Sequence, residues 1–117
     1  MSKDDAISRE WYETLAEKKG FLDRLFSAFL RNEPKRVEEI REAVAREDFE
    51  QLRFLTHSLK GSAATMGAER LRARCQLLEE AVKAEDRERI RTGFAEMERE
   101  VEDVFTYMRE HMERPAP

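Results

Sequence analysis

The sequence has few of the residues that interrupt helices. Its 117 residues include four glycines and three prolines, and Pro34 is the only proline before the C-terminal RPAP. Charged residues make up 41% of the chain and hydrophobic residues 40%, which is enough for one modest core. No stretch alternates polar and apolar residues over the length of a strand, so we expect no β-sheet. The composition therefore predicts one all-helical domain over residues 1–117, with flexible termini at 1–7 and 113–117.

Several function classes lack their usual features in this chain. Cys75 is the only cysteine and the two histidines lie far apart, which excludes an internal disulfide and disfavours a zinc site. The net charge is −4 with interspersed signs, so no basic stripe marks a nucleic-acid binder. There is no membrane-spanning apolar run, signal peptide or Gly-rich nucleotide loop. We expect a cytoplasmic protein without bound metal or cofactor, without a nucleic-acid or membrane partner, and without its own ATP site.

The N-terminal half predicts two helical segments. A short helix over about residues 8–18 presents Trp11 and Leu15 before Gly20 interrupts it. Apolar residues then recur at helical spacing over residues 22–44. Pro34 divides this stretch, and it either kinks one long helix or starts a new helix capped by Asn32. We favour one long helix kinked near Pro34.

The C-terminal half predicts three helices. Asp48 suits an N-cap, Gln51 completes a capping box, and Gly67 suits the end of the same helix. Lys83–Asp86 forms the turn between the other two helices. The predicted buried faces are Leu52, Leu55, Leu59, Ala63 and Met66, then Leu71, Cys75, Leu78 and Val82, then Ile90, Phe94, Met97, Val101, Val104 or Phe105, and Met108. Short loops make neighbours antiparallel, so we predict an up-down four-helix bundle with the short N-terminal helix across one end.

A glycine stands in the middle of the helix that starts at Asp48. Gly61 there costs about 1 kcal/mol relative to alanine. A rotation of 100° per residue places His57 opposite the core face, on the surface. Lys60 and Gly61 follow at i+3 and i+4, and side chains at these positions lean back over His57. A cation beside a sterically open imidazole suits the arrival of a bulky anion, which argues against a histidine without function.

The run HSLKGSAATMG, from His57 to Gly67, closely resembles the signature of histidine-containing phosphotransfer (HPt) domains, H-x-[LI]-K-G-[SA]-[SA]-[AG]-x-[LMF]-G. The resemblance implies that His57 accepts a phosphoryl group on Nε2 from a receiver aspartate or a histidine kinase, hybrid kinases included. His57 would then pass the group to a response-regulator receiver domain. The resemblance also implies that Lys60 stabilises the phosphohistidine, that Gly61 leaves room for the partner, and that magnesium belongs to the receiver.

The same family places a glutamine or glutamate on the next helix, where it bonds the other imidazole nitrogen. Counting without a gap assigns this position to Glu79, with Glu80 as a rival one residue away. A carboxylate that accepts from Nδ1–H would fix the tautomer and leave Nε2 free. The resemblance therefore adds Glu79 to the predicted site.

The resemblance implies that a receiver docks on the histidine helix and the helix before it, near the N-terminal helix. The predicted contacts are Phe54, Arg53, Ala64, Trp11, Leu15 and Leu22. Phe54 is either an exposed contact or covered by the N-terminal helix, and Trp11 is better suited to capping the end of the core. We assign no function to Cys75, a core residue, or to His111, which suits a helix C-terminus through the dipole.

The leading hypothesis is a monomeric phosphocarrier that is not itself an enzyme. One alternative is an HPt-like module that docks receivers without being phosphorylated. Another is the phosphorylated module of a chemotaxis-type kinase, since those domains resemble this chain in having a glutamate at the Glu79 position. A third makes His57 and Glu79 an acid–base pair of a hydrolase, which requires a deep cleft at His57.

Overall fold

A computed structural model describes residues 3–15 and 19–113. One turn of 3-10 helix, Lys3–Asp5, precedes five α-helices: α1 (Arg9–Leu15), α2 (Lys19–Arg46), α3 (Phe49–Thr65), α4 (Glu69–Lys83) and α5 (Arg87–Glu113). These two ranges contain no strand, so the all-helical class is confirmed. α3 and α4 each pack against both of their sequence neighbours, and α2 also packs against α5. No helix in the described ranges combines the length and the apolarity that crossing a bilayer requires.

The core consists of the faces that the helical period predicted. Val104 and Phe105, offered as alternatives, are both buried. So are all the other predicted core positions of the last three helices: Leu52, Leu55, Leu59, Ala63, Met66, Leu71, Cys75, Leu78, Val82, Ile90, Phe94, Met97, Val101 and Met108. Burial raises the pKa of the Cys75 thiol to about 12, which keeps it protonated and unreactive.

Helix boundaries agree with the sequence in part. Asp48 Oδ1 accepts the Gln51 N–H at 3.1 Å, which confirms the predicted cap. The Asp48 N–H donates to the carbonyl of Ala43 at 3.0 Å, so the return bond expected from the Gln51 side chain is replaced by a backbone bond. α2 runs through Pro34 as one helix, so the alternative in which a new helix begins at Pro34 is wrong. Gly20 lies in the first turn of α2 and does not break a helix.

The N-terminal segment packs on the core through two of its residues. Ala6 and Ile7, within the range 1–7 for which flexibility is predicted, are 1% and 2% exposed and belong to the core. The flexibility itself stays a prediction. The Ser8 N–H donates to the carbonyl of Gly67 at 2.8 Å, which ties this segment to the end of α3. The predicted flexibility of residues 1–2 and 114–117, and the predicted helical continuation over 16–18, lie outside the described residues.

His111, which the sequence analysis explained only by the helix dipole, is buried. Its side chain is 5% exposed. Its Nδ1 lies 3.2 Å from the Tyr12 hydroxyl of α1, and its Nε2 lies 3.5 Å from Asp23 Oδ1 of α2. The position follows Met108 by three residues and therefore continues the buried face of α5. His111 thus joins three helices at one end of the bundle.

Gly67 is required by both its backbone and its neighbour. Its φ is +69°, in the left-handed region that favours glycine. A Cβ there would lie 2.5 Å from Trp11 Cγ. Trp11 in turn stacks on Phe26, with ring centroids 6.3 Å apart, and so closes the end of the core as predicted.

We expect Gly67→Ala to lower the free energy of unfolding by at least about 2 kcal/mol, because strain and a steric clash add. Urea unfolding followed by circular dichroism measures the loss. In a Trp11→Gly background both the ring and the Cβ of residue 11, which an added Gly67 Cβ would meet at 2.5–2.8 Å, are removed, and the same substitution should cost only about 1 kcal/mol of backbone strain. An equal cost in both backgrounds would show that Trp11 does not constrain Gly67.

Candidate functional site

His57 stands on the outer face of α3, as the helical period predicted. Its side chain is 68% exposed. It borders two grooves, one between α2 and α3 and one between α3 and α4, each of about 520 Å³. The imidazole therefore lies on a ridge, where a partner can reach it, and not in a deep cleft.

Glu79 of α4 meets His57 from the buried side. Only 5% of Glu79 is exposed, and its Oε1 lies 2.9 Å from His57 Nδ1. The rival residue, Glu80, is exposed and accepts instead from Gln76 Nε2 at 3.2 Å. The packing of α3 on α4 thus brings together the pair that the resemblance assigned.

Lys60 bonds the same carboxylate. Its Nζ lies 2.6 Å from Glu79 Oε2 and 3.1 Å from Gln76 Oε1. Glu79 therefore joins Lys60 to His57, with one oxygen on each. Gln76 was missed by the sequence analysis, although it precedes Glu79 by three residues and so lies on the same face of α4.

The charge of Glu79 determines the tautomer of His57. Burial alone raises the pKa of this carboxyl, but hydrogen bonds from Lys60 and His57, together with their charges, outweigh burial and lower the pKa below its ordinary value. At neutral pH Glu79 is therefore a carboxylate, which can only accept. Nδ1 of a neutral His57 must carry the proton, so Nε2 keeps its lone pair and faces away from Glu79.

Gly61 is surrounded by open space. A Cβ built there would meet nothing within 4 Å, so the His57 side chain is also farther away than that. Neither the fold nor the imidazole alone requires a glycine at this position. The space is therefore open to a molecule that approaches from outside.

The α2–α3 groove has an apolar floor and one buried charged cluster. His57 and Gly61 lie on its α3 side. Arg36 Nη1 bonds both carboxylate oxygens of Glu33, at 2.7 and 2.8 Å, and also the Ser62 hydroxyl at 3.2 Å. Glu33 is 4% exposed, and burial raises the pKa of its carboxyl against the opposing effect of Arg36. No sequence pattern marks this cluster, because its members come from two helices.

Comparison with protein families agrees with this geometry. The family described as "Hpt domain" matches residues 24–109, which is well over half of the chain. This chain belongs to the Hpt domain family. Hpt domains are phosphocarrier modules of two-component phosphorelays, and they interact with receiver domains and histidine kinases. Searches of curated proteins and of solved structures find no match.

The docking residues predicted for this Hpt domain fall into three groups. Phe54 is 66% exposed, and Arg53 and Ala64 are also exposed. Trp11 and Leu15 are half-buried against the core. Leu22 is fully buried, so its assignment to a docking surface is wrong. The position of α1 at Gly67, near the other end of α3, also excludes the alternative in which it covers Phe54.

The lowered pKa of Glu79 makes the stability of this Hpt domain depend on pH. Because the folded-state pKa lies below the unfolded value, the ionised carboxyl stabilises the fold above the unfolded pKa. That contribution is lost as pH falls through the folded-state pKa.

We expect Lys60→Met to raise the pKa of Glu79, because burial is then opposed by His57 alone. The carboxyl ¹³C shift of Glu79 across an acid titration measures this change. Lys83→Met is the matched control, since Lys83 borders the same α3–α4 groove without a bond to Glu79. An unchanged Glu79 titration in Lys60→Met would contradict the assigned network.

Proposed function

We propose that His57 is the phosphoacceptor of this Hpt domain and that its Nε2 carries the phosphoryl group between partner proteins. The observation that carries the proposal is the exposed imidazole whose Nδ1 is held by the buried carboxylate of Glu79. Nε2 is then a free nucleophile on a rigid helix, directed toward solvent. The donor is a histidine kinase or a receiver aspartyl phosphate, and the acceptor is the aspartate of a response-regulator receiver.

The transfer needs one bond made and one bond broken. The Nε2 lone pair of His57 attacks phosphorus as the bond to the donor oxygen breaks, and the donor aspartate leaves as a carboxylate. The imidazole keeps its Nδ1 proton and becomes cationic. Glu79, 2.9 Å from Nδ1, stabilises the charge that develops on the ring. The partner receiver supplies the magnesium ion that this chemistry requires.

Docking over the α2–α3 groove fits this transfer best. The groove borders His57 and Gly61, and partly exposed Leu25 gives it apolar surface for a partner helix, above a floor of buried Phe29 and Met66. Exposed Phe54, one turn before His57, extends the contact on the other side of the ridge. We further propose that the four long helices alternate in direction as an up-down bundle, since their connections are short, and that the domain works as a cytoplasmic monomer.

A second candidate is the phosphorylated module of a chemotaxis-type kinase. The carboxylate at Glu79, in place of a glutamine, is the observation that favours it. Both candidates use His57 in the same way and differ only in the donor. Phosphorylation by a kinase catalytic domain but by no receiver would support this second candidate.

Intact-mass analysis tests the phosphoacceptor directly. We expect a receiver phosphate or a small phosphoramidate to add one phosphoryl group that is labile in acid and stable in alkali. His57→Gln should abolish the adduct with an unchanged helical circular dichroism spectrum, because the exposed side chain does not hold the fold. His111 is the internal control, since peptide mapping should find it unmodified.

Two other results would contradict the proposal. A folded His57→Gln protein that still gains the adduct would show that another residue accepts the phosphoryl group. A wild-type protein that gains no adduct from any donor but binds unphosphorylated receivers would instead support the docking-only alternative.

Gly61→Ala separates the requirements of the partner from those of the fold. We expect alanine to raise the free energy of unfolding by up to about 1 kcal/mol, because it removes a glycine from a helix interior. Transfer from a receiver domain should slow, while transfer from a small phosphoramidate should stay at the wild-type rate, since the added Cβ meets nothing in this chain. Unchanged transfer from the receiver would contradict both the proposed role of Gly61 and receiver docking over the α2–α3 groove.

A further inference from the structure

The Lys60 ammonium forms hydrogen bonds to two residues of α4. Neither residue lies within the Hpt signature run from His57 to Gly67. The Lys60 ammonium has three N–H donors. Glu79 Oε2 accepts one at 2.6 Å, and Gln76 Oε1 accepts a second at 3.1 Å. The two acceptors are one turn apart on α4, so together they fix the direction of the third N–H.

The orientation of the Gln76 amide is determined by chemistry at both ends. Its carbonyl oxygen faces the Lys60 ammonium, and its NH₂ group donates to Glu80 Oε1 at 3.2 Å. Exchanging the two ends would set NH₂ against the ammonium and oxygen against the Glu80 carboxylate, and both contacts would be repulsive. Glu80 therefore orients Gln76, and Gln76 orients Lys60.

We infer that Gln76 is a positioning residue of the transfer reaction, which holds the Lys60 ammonium beside Glu79 with one N–H left for a phosphoryl oxygen on His57. The inference rests on the proposed function for its effect on transfer. Its structural part, the restraint of Lys60, does not depend on phosphorylation.

The alternative is an amide on the surface of α4 that does not affect Lys60. Without Gln76, the ammonium would keep a single tether at Glu79 Oε2, around which the four-carbon stem rotates. The phosphoryl oxygen would then meet a less ordered donor. A surface amide would leave both the order of Lys60 and the rate unchanged.

The test compares Gln76→Leu with the double variant Gln76→Glu/Glu80→Gln and with Gln51→Leu. Leucine has a similar size without the acceptor. The double variant keeps an oxygen facing Lys60 and gives residue 80 an amide that donates to the new carboxylate, so no two carboxylates face each other. Gln51 is an exposed glutamine on α3, so its substitution is the matched control. The order parameter of the Lys60 ammonium, measured by ¹⁵N relaxation, reports the restraint in unphosphorylated protein. We expect it to fall in Gln76→Leu and to stay high in the other two variants.

The rate is measured with a small phosphoramidate donor, which avoids effects on docking. We expect Gln76→Leu to slow phosphorylation about three- to tenfold, the size of one net hydrogen bond. In a Lys60→Met background the same change should have no further effect, because Gln76 acts through Lys60.

Two results would overturn the inference: a wild-type order parameter and rate in Gln76→Leu, or the same slowing with and without Lys60. If wild-type protein accepts no phosphoryl group while Gln76→Leu still loosens Lys60, the proposed function fails and the positioning of Lys60 by Gln76 stands.

Discussion

The buried carboxylate of Glu79 is the contact on which the rest of the site depends. One oxygen meets His57 Nδ1 and the other meets the Lys60 ammonium. An unpaired carboxylate at 5% exposure would be costly, so both partners help to keep Glu79 ionised. Glu79 holds the imidazole of His57 through Nδ1 and leaves Nε2 accessible. A held but accessible imidazole follows from placing the carboxylate on one helix and the histidine on its neighbour.

The exposed face of α3 that carries His57 leaves the core to the other helix faces. α3 buries one face in the core and leaves the opposite face, which carries His57, to solvent. Long α2 and α5 supply much of the apolar surface, and α1 closes the end where Trp11 covers Gly67. Gly61 adds no contact and weakens the helix. The fold thus accepts a small loss of stability at the position where a partner is proposed to approach.

The two glycines of the signature have different physical causes. Gly67 is needed by this chain itself, through its positive φ and the ring of Trp11. Gly61 is needed by nothing within this chain, and the explanation proposed for it is the room that it leaves for an approaching molecule. A sequence pattern reports both glycines with equal weight, and only the surroundings in three dimensions separate a requirement of the fold from a requirement of the encounter.

The sequence by itself determined the helices, their buried faces, the cap at Asp48 and the exposure of His57. These properties follow from local periodicity, capping and residue size, which act within one helix. Tertiary structure decided the pairing with Glu79 over Glu80, the bond from Gln76 to Lys60, and the burial of Leu22 and His111. Each of these depends on how one helix is rotated against another, and a turn of 100° per residue moves a neighbour to a different face. The packing of the whole core sets this rotation, and because residues from all the helices contribute to that packing, no local sequence pattern reports it.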